Sequence, residues 1–371
     1  MPAPLHSPRI TGLNYVRPLG EGGFASVYLY EQDLPRRMVA VKALKSGFES
    51  AEERSDFQVE TDAMARLAGH PAIVSVYGAG VSADGRPYLV MEYCPGSMRE
   101  QTRDRPAQLA QVLDVGVRLA GALETAHRAG VLHRDIKPSN VLITTLGRPS
   151  LADFGIASLR GRASSETAMT AVTIPWSAPE VLAGQTPGTV ATEVWSLGAT
   201  LYTFAAGRSP FELPEPEKNT RSLITQRISR ATYTPIPGAQ GYDGIDAVLK
   251  KAMMPRPEQR FASMDVFAGA LQQLQRHYGF DVTPFDITRD LWPADESQPV
   301  APGVVRGGAT NSVRPGSRAE ARAALAREQA DRDGVVPDRP VSALRAGVMG
   351  AAIAVVAMGV VVAIAGWMGL I

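Results

Sequence analysis

The spacing of apolar residues along this chain changes once, close to Pro95. Before that point the apolar residues form short runs rich in Val, Tyr and Leu, which is typical of β-strands. One stretch among them, residues 52–67, instead has its apolar residues on one helical face. After Pro95 the pattern is mainly helical. The change predicts an α+β fold, with a strand-rich small lobe joined to a helix-rich large lobe.

The boundaries of these elements follow from the same patterns. The predicted strands are residues 15–19, 26–30, 38–42 and 88–92. The predicted helices of the large lobe are residues 108–129, 193–206, 244–254 and 263–277. We therefore expect one folded domain at residues 11–277, with a small lobe at 11–94 and a large lobe at 95–277.

Charge and cysteine content exclude some classes of protein. The chain has 38 Lys plus Arg and 37 Asp plus Glu, so it has no general attraction to nucleic acid, and we expect no nucleic-acid partner. Its single cysteine, Cys94, excludes an intramolecular disulfide and fits a reducing cytoplasm. The first ten residues contain no apolar run, so we expect no signal peptide.

Residues 278–345 are rich in Pro, Gly, Ser and Arg, which predicts a linker. Residues 301–345 contain eight Arg and five Asp or Glu. Weak attraction to anionic lipid headgroups and a merely solvated linker both remain open.

Residues 346–371 contain no charged residue. As a helix at ~1.5 Å per residue they reach about 39 Å, more than the ~30 Å of bilayer hydrocarbon. We expect a transmembrane helix, with a buried core helix as the alternative. Arg339 and Arg345 precede the run and predict a single pass with the folded domain in the cytoplasm. Because the chain ends within the run, we expect an anchor to the lipid bilayer. Gly350 and Ala354 have a spacing that favours helix pairing, so a homodimer and chance spacing are both open.

A glycine-rich segment, Gly20-Glu21-Gly22-Gly23, lies between the first two predicted strands. Glycines let backbone N–H groups approach phosphate oxygens closely. The segment is not a dinucleotide-binding fingerprint, because a strand follows it rather than a helix. A phosphate-binding loop and a plain hairpin turn both fit.

Lys42 lies inside a hydrophobic strand pattern, Val39-Ala40-Val41-Lys42. A buried lysine without a partner is costly, so such a residue is expected to have a partner carboxylate and a negative ligand. Glu60, on the following helix, is the natural candidate for that carboxylate. An exposed lysine on an edge strand is the alternative.

The segment His133-Arg134-Asp135-Ile136-Lys137-Pro138-Ser139-Asn140 is the most specific motif. Asp135 can orient an attacking hydroxyl and accept its proton. Lys137 can neutralise charge on a moving phosphoryl group, and Asn140 can offer an oxygen to a hard cation. Asp153, in Asp153-Phe154-Gly155, can supply a carboxylate to Mg²⁺.

These features occur in a fixed order: the glycine segment, Lys42, Glu60, Asp135 with Asn140, Asp153, and Ala178-Pro179-Glu180. The combination resembles the eukaryotic-like protein kinase family, over about residues 11–277. The resemblance implies a bilobal protein kinase fold. It also implies ATP as cofactor together with Mg²⁺, for which Mn²⁺ can substitute, and proteins carrying Ser or Thr as substrates.

The resemblance also assigns roles. In such kinases the strand lysine binds ATP phosphates and pairs with the helix glutamate, here Lys42 and Glu60. Asp135 is then the catalytic base, aided by Lys137, and Asn140 and Asp153 hold the metal ions. The other residues implied to contact ATP are Leu19, Gly20, Gly22, Gly23, Val27, Ala40, Glu92, Cys94 and Leu142, with Met91 as gatekeeper.

Lys137 and Thr173 match the serine/threonine branch of the family. Arg134 is implied to grip a phosphorylated residue on the activation segment, which runs from Asp153 to Glu180. The candidates for autophosphorylation are Thr167, then Thr170 and Ser165, with an unmodified loop as the alternative. A kinase domain followed by a transmembrane helix is similar to the bacterial membrane-anchored, receptor-type branch.

Four positions depart from the family pattern: Ala25, Val172, Trp176 and Glu193. Glu193 is the most serious, because the family normally has Asp there to anchor the catalytic-loop backbone. Two functions therefore remain in view, an active phosphotransferase and a pseudokinase that serves as a membrane-bound scaffold. We also expect Glu180 to pair with Arg260.

Overall fold

The computed structural model describes residues 7–23, 25–48, 50–103, 105–154, 173–237 and 243–288, with Glu60 described by its backbone alone. The chain divides into two compact units, Met1–Ala294 and Asp295–Ile371. All of the second unit lies outside the described residues. None of the helices in the described ranges is both long and apolar enough to cross a membrane. The predicted transmembrane helix at residues 346–371 falls outside those ranges.

The small lobe is built on an antiparallel five-stranded sheet of order β1-β2-β3-β5-β4. Its strands are β1 Leu13–Glu21, β2 Ala25–Gln32, β3 Arg37–Leu44, β4 Val76–Val81 and β5 Pro87–Glu92. Strand β2 contains one valine and two tyrosines and β3 two valines, residue types that suit a pleated, half-buried surface. The order places β3 at the centre of the sheet, so its side chains are covered, and Val39 and Val41 are fully buried.

Helix α1, Ala51–Leu67, crosses the small lobe. Ser50 caps it, with Oγ accepting from the Glu53 N–H at 3.1 Å, and acidic residues fill the first turn. Met64 and Leu67 are buried and Phe57 packs beside them, which confirms the predicted apolar face.

The large lobe is helical. Its helices are α2 Met98–Thr102, α3 Leu109–Arg128, α4 Pro179–Leu182, α5 Val190–Ala206, α6 Arg221–Ser229, α7 Asp243–Ala252 and α8 Met264–His277. Its short sheet has the order β6-β7-β8, with β6 Gly96–Ser97, β7 Val141–Ile143 and β8 Pro149–Leu151. Short 3₁₀ turns occur at Pro138–Asn140, Ile174–Trp176, Pro216–Lys218 and Pro257–Gln259.

Helices α3 and α5 form the centre of the large lobe, because apolar residues cover most of their circumference. A capping box between Thr189 and Thr192 begins α5, and Gly207 ends it in the left-handed conformation at φ 73°. The bilobal α+β protein kinase architecture is confirmed for the described part of the chain. Strand β4 has no counterpart among the predicted strands. Residues 279–288 pack on the large lobe, beyond the predicted boundary at residue 277.

Candidate active site

Four of the predicted site residues form one polar cluster beside the 3₁₀ turn Pro138–Asn140. Lys137 Nζ donates to both carboxylate oxygens of Asp135, at 2.8 and 3.0 Å. Thr173 Oγ1 lies 3.4 Å from Asp135 Oδ1 and 3.5 Å from Lys137 Nζ. Asn140 Nδ2 donates to the Asp135 carbonyl oxygen at 2.7 Å. The bonds from Lys137 and Thr173 limit the rotation of the Asp135 carboxylate, the group predicted to take a proton. The bond from Asn140 instead fixes the main chain at Asp135.

His133 links this cluster to the strand that precedes Asp153. The ring is fully buried. Its Nδ1 accepts from the Asp135 N–H at 3.2 Å, so Nε2 is the donor to the Ala152 carbonyl, 2.9 Å away. The ring also contacts Phe154, with centroids 4.5 Å apart. Burial lowers the pKa of His133, which keeps the imidazole neutral in this bonding pattern.

Two residues of the site have left-handed backbone conformations that are unusual outside glycine. Arg134 has φ 64° and Asp153 has φ 68°. Such conformations cost about 1–3 kcal/mol each and persist only where the surroundings hold them. At Arg134 the holding group is Glu193, whose Oε1 accepts from the Arg134 N–H at 2.7 Å.

Glu193 is 2% exposed and makes a second bond, from His127 Nε2 to Glu193 Oε2, at 2.6 Å. The extra methylene of glutamate thus does not remove the anchor of the catalytic loop. One carboxylate serves both the loop backbone and a buried imidazole on α3. This resolves the structural doubt that the sequence raised about Glu193.

Lys42 is 6% exposed on β3, and its Nζ lies 2.8 Å from Asp153 Oδ1. The alternative of an exposed edge-strand lysine is therefore wrong, because β3 is central and the side chain is buried. The partner found here is Asp153. The predicted pair with Glu60 falls on a side chain outside the described set and stays a prediction.

Several apolar side chains predicted to line the ATP site belong to one hydrophobic core. Ala40 on β3 pairs with Met91 on β5, and both are buried. Leu19, Val27 and Leu142 are partly buried against the same core. Gly22 N–H donates to the Ala25 carbonyl at 2.9 Å, which closes the turn of the glycine segment.

Cys94 is half-buried at the end of this apolar wall. Burial raises the pKa of the Cys94 thiol to about 12. The thiol is therefore protonated at neutral pH and unsuited to act as a nucleophile.

The chemistry of Asn140 and Asp153 fits a magnesium ion. Mg²⁺ is usually held by one or two protein groups together with phosphate oxygens and water. Because Asn140 Nδ2 is engaged with the Asp135 carbonyl, its Oδ1 is the atom left to face a cation. Asp153 adds one carboxylate. The set therefore suits a cation that arrives with a polyphosphate.

Residues 13–272 match the protein kinase domain family. This chain belongs to the protein kinase family. The match covers well over half of the chain and ends within α8, close to the boundaries predicted from the sequence.

Two curated relatives in this family are mycobacterial kinases. The serine/threonine-protein kinase PknK of Mycobacterium tuberculosis is 38% identical over 309 residues, covering 81% of this chain and 27% of the relative. The serine/threonine-protein kinase PknB of Mycobacterium leprae is 34% identical over 257 residues, covering 66% of this chain and 40% of the relative. The chain thus matches about a quarter to two fifths of the length of these kinases.

Among solved structures, the chain is similar to the kinase domain of Mycobacterium tuberculosis PknI, crystallised in a mutant form. The TM-score is 0.54 with 30% sequence identity. The match covers 73% of this chain and 99% of that domain. The bilobal kinase fold therefore has support from both sequence and structure.

The activation segment of this kinase is described only at its two ends. Asp153 and Phe154 begin it, and the description resumes at Thr173. The predicted phosphorylation sites, Thr167, Thr170 and Ser165, lie outside the described residues, as does Val172.

The far end of that segment is fixed by the predicted pair of Glu180 and Arg260. Arg260 Nη1 and Nη2 donate to the two carboxylate oxygens at 2.6 and 2.8 Å. The remaining N–H groups reach the carbonyls of Met254, Ala191 and Pro255. All five donors of a fully buried guanidinium are thereby used, which confirms the pair.

Trp176 also has a structural explanation. It is buried, and its Nε1 donates to Thr203 Oγ1 at 2.9 Å on α5. The indole therefore helps to hold the 3₁₀ turn Ile174–Trp176 against the large lobe.

Sequence reasoning missed His127. It lies near the end of α3, 66 residues before Glu193, and no local motif marks it. Its Nδ1 has no hydrogen-bond partner within the described part of the chain. The sequence feature that could have indicated His127 was Glu193 in a position where the family has aspartate. A longer acid can reach a second hydrogen-bond donor.

Proposed function

We propose that this chain is an ATP-dependent serine/threonine protein kinase that transfers the γ-phosphoryl group of ATP to Ser or Thr hydroxyls of proteins. The observation that carries the proposal is the Asp135 cluster, in which Lys137 and Thr173 both reach the same carboxylate. The curated relatives that bear this name add support, through their kinase regions.

The residues divide the work between positioning and charge. Asp135 accepts a hydrogen bond from the substrate hydroxyl and takes its proton as the oxygen attacks the γ-phosphorus. The bond from that phosphorus to the β–γ bridging oxygen breaks, and ADP leaves. Lys137 lies against Asp135 and neutralises charge on the group in transfer. Lys42 binds phosphate oxygens from the small-lobe side.

Asn140 and Asp153 are the residues that would hold Mg²⁺. When bound, Mg²⁺ neutralises the phosphate oxygens as charge moves onto the leaving group. Val27, Ala40 and Leu142 exclude water around the adenine, while the main chain at Glu92 and Cys94 is assigned to hydrogen-bond it.

Transfer of labelled phosphate from [γ-³²P]ATP to a Ser/Thr-rich acceptor protein tests this function. The wild type should label the acceptor on serine and threonine. Lys42→Ala should abolish labelling, whereas Lys250→Ala should leave it intact because Lys250 lies exposed on α7. Labelling on tyrosine, or equal labelling by Lys42→Ala, would count against the assignment.

A pseudokinase scaffold is the second candidate, raised by Glu193 in the family's aspartate position even though Glu193 still holds the Arg134 N–H. It predicts nucleotide binding without phosphoryl transfer. Titration with a fluorescent ATP analogue, run beside the transfer assay, separates the two functions. Binding together with transfer excludes the scaffold as the sole role.

We further propose autophosphorylation on the activation segment, with Thr167 ahead of Thr170 and Ser165. Arg134 precedes the catalytic base and is suited to pair with a phosphate carrying about −1.5 to −2 charge. Mass spectrometry of active wild type and of Asp135→Asn is the test. No phosphate between Ser158 and Thr173 in the active protein would contradict the proposal.

Membrane anchoring through residues 346–371, with the kinase domain in the cytoplasm, is a further proposal that rests on hydropathy and on Arg339 and Arg345. Cell fractionation of the full chain and of a variant lacking residues 346–371 tests it. The full chain should sediment with membranes and the variant should not. Cross-linking in the membrane fraction would show whether the full chain pairs as a homodimer.

A further inference from the structure

Residues 279–288, here called the C-terminal strap, follow α8 and run along α3 towards the small lobe. They lie beyond residue 272, where the match to the kinase family ends. The strap begins where Phe280 N–H donates to the Gln275 carbonyl at 2.8 Å. Phe280 and Phe285 then pack against the core of the domain. The strap is thus packed on the folded domain, although its composition predicted a linker.

Thr283 is the first anchor of the strap, and it is 4% exposed. Its N–H donates to Gln275 Oε1 at 3.0 Å, and its Oγ1 accepts from Gln275 Nε2 at 2.8 Å. That hydroxyl then donates to Asp114 Oδ1 at 2.8 Å, while Gln272 Nε2 donates to the Thr283 carbonyl at 2.9 Å. Both main-chain polar groups and the hydroxyl of one residue are therefore satisfied by α3 and α8.

His70 is the second anchor, and it belongs to the small lobe. It is 2% exposed and lies in the turn between α1 and β4. Its Nδ1 accepts from the Ala72 N–H at 3.1 Å, so its Nε2 is the donor to the Asp286 carbonyl at 3.0 Å. One neutral imidazole therefore joins the turn to the strap.

Gly121 on α3 lets the strap pass at this point. A β-carbon on Gly121 would lie 2.5 Å from the Asp286 carbonyl oxygen, closer than real contacts allow. Thr288 N–H next donates to Thr125 Oγ1, one turn further along α3, at 3.3 Å. The strap therefore packs directly on the helix backbone.

The turn held by the strap also touches the strand that leads to Asp153. Val74 N–H donates to the Leu151 carbonyl at 3.0 Å, and Leu151 N–H donates to the Ala72 carbonyl at 2.9 Å. Leu151 ends β8, two residues before Asp153. The turn thus lies between the strap on one side and the approach to the nucleotide site on the other.

We propose that the C-terminal strap is a positioning element of the kinase, which clamps the turn between α1 and β4 onto α3 and thereby sets the position of Asp153 for nucleotide binding. The activity consequence rests on the proposed kinase function. The structural consequence does not, because backbone exchange at the turn can be measured in an inactive chain.

The first experiment replaces residues 280–288 in the full chain by a Gly/Ser sequence of equal length. Amide hydrogen exchange at Ala72, Val74 and Leu151 should accelerate, and the dissociation constant for a fluorescent ATP analogue should rise roughly 2- to 30-fold. Unchanged exchange at these amides, or unchanged nucleotide affinity in a folded variant, would overturn the proposal.

The second experiment uses Gly121→Ala in the full chain, with Gly269→Ala on α8 as the control, because a β-carbon there meets nothing within 4 Å. Gly121→Ala should displace the strap and weaken nucleotide binding as strap replacement does. In the strap-replaced chain the same substitution should cause no further loss of nucleotide affinity, because the strap that the new β-carbon would displace is already absent. An equal loss in both backgrounds would show an effect on α3 alone and would overturn the proposal.

Discussion

The catalytic loop and the C-terminal strap are both irregular segments tied down by buried polar bonds, but the groups that hold them differ. Residues 133–140 are anchored largely by charged groups, with Glu193 on the Arg134 N–H and Lys137 on Asp135. The strap is anchored mainly by neutral groups, with Gln275 on Thr283 and His70 on a main-chain carbonyl.

This difference predicts how much stability is lost when an anchor of each segment is removed. A hydrogen bond to a charged group contributes about 1.5–3 kcal/mol to stability, and a neutral one about 1 kcal/mol. Breaking a charged anchor also leaves its partner buried and unpaired. We therefore expect large losses on the catalytic side and smaller ones at the strap.

The largest loss is expected for Arg260→Lys, because Arg260 pairs with Glu180 at the end of the activation segment. The buried Arg260 guanidinium donates five N–H groups to protein acceptors, and lysine has only three to offer. The free energy of unfolding should fall by about 3–5 kcal/mol, as for a broken buried ion pair. Urea denaturation measures it. A loss below about 1 kcal/mol would mean that these bonds contribute no more to stability than a hydrogen bond between neutral groups.

Glu193→Asp should cause the next largest loss, although aspartate is the residue usual in the family. The shorter acid cannot reach both the Arg134 N–H and His127, so one buried donor is left without a partner. We expect a loss of about 1.5–3 kcal/mol in unfolding free energy.

The control for that substitution is the double variant Glu193→Asp with His127→Leu, which removes the abandoned donor. It should recover part of the lost stability in a double-mutant cycle. If Glu193→Asp were as stable as the wild type, the shared-anchor interpretation would be wrong.

Thr283→Val tests the neutral side of the comparison. It keeps the shape of the side chain but removes the hydroxyl between Gln275 and Asp114, and Asp114 still has Arg118 as a partner. The unfolding free energy should fall by about 1 kcal/mol. Thr288→Val is the matched control, because Thr288 Oγ1 has no partner in the described ranges. Equal losses in both variants would remove the case for a Thr283 anchor.

The smallest effect near neutrality is a pH dependence from His70 and His133. Burial lowers the pKa of both below the ordinary value of about 6.5. Near and below pH 6.5 the two histidines therefore bind protons more readily in the unfolded chain than in the folded chain. The free energy of unfolding is highest above about pH 6.5 and decreases as the pH falls below that value. Between pH 7 and 6 the change should stay under about 1 kcal/mol for each histidine.

Thermal unfolding from pH 7.5 to 5 measures this effect. His70→Gln should flatten the acid side of the curve, because it removes one titrating group. A curve that is equally steep with and without His70 would contradict its neutral bond to the strap.

The sequence predicted the residues of the Asp135 site better than it predicted strand β4 and the C-terminal strap. The predicted site residues lie close together as expected, namely Asp135, Lys137 and Thr173. They could be recognised in the sequence because their charge and spacing are specific to the proposed reaction. Strand β4 was missed, since two glycines in Val76–Val81 weaken its strand pattern. The strap was assigned to a linker from its composition, because its bonds are long-range or to the main chain, and these leave no periodic signal.

The central claim is that Asp135 acts as the base of a phosphoryl transfer that begins with bound ATP. Single-turnover transfer from [γ-³²P]ATP by the wild type and by Asp135→Asn, with nucleotide affinity measured on the same samples, tests it most directly. We predict equal affinity and a transfer rate lower by about 10²- to 10⁴-fold in the variant. Equal transfer by both proteins, or ATP binding with no transfer by the wild type, would contradict the account.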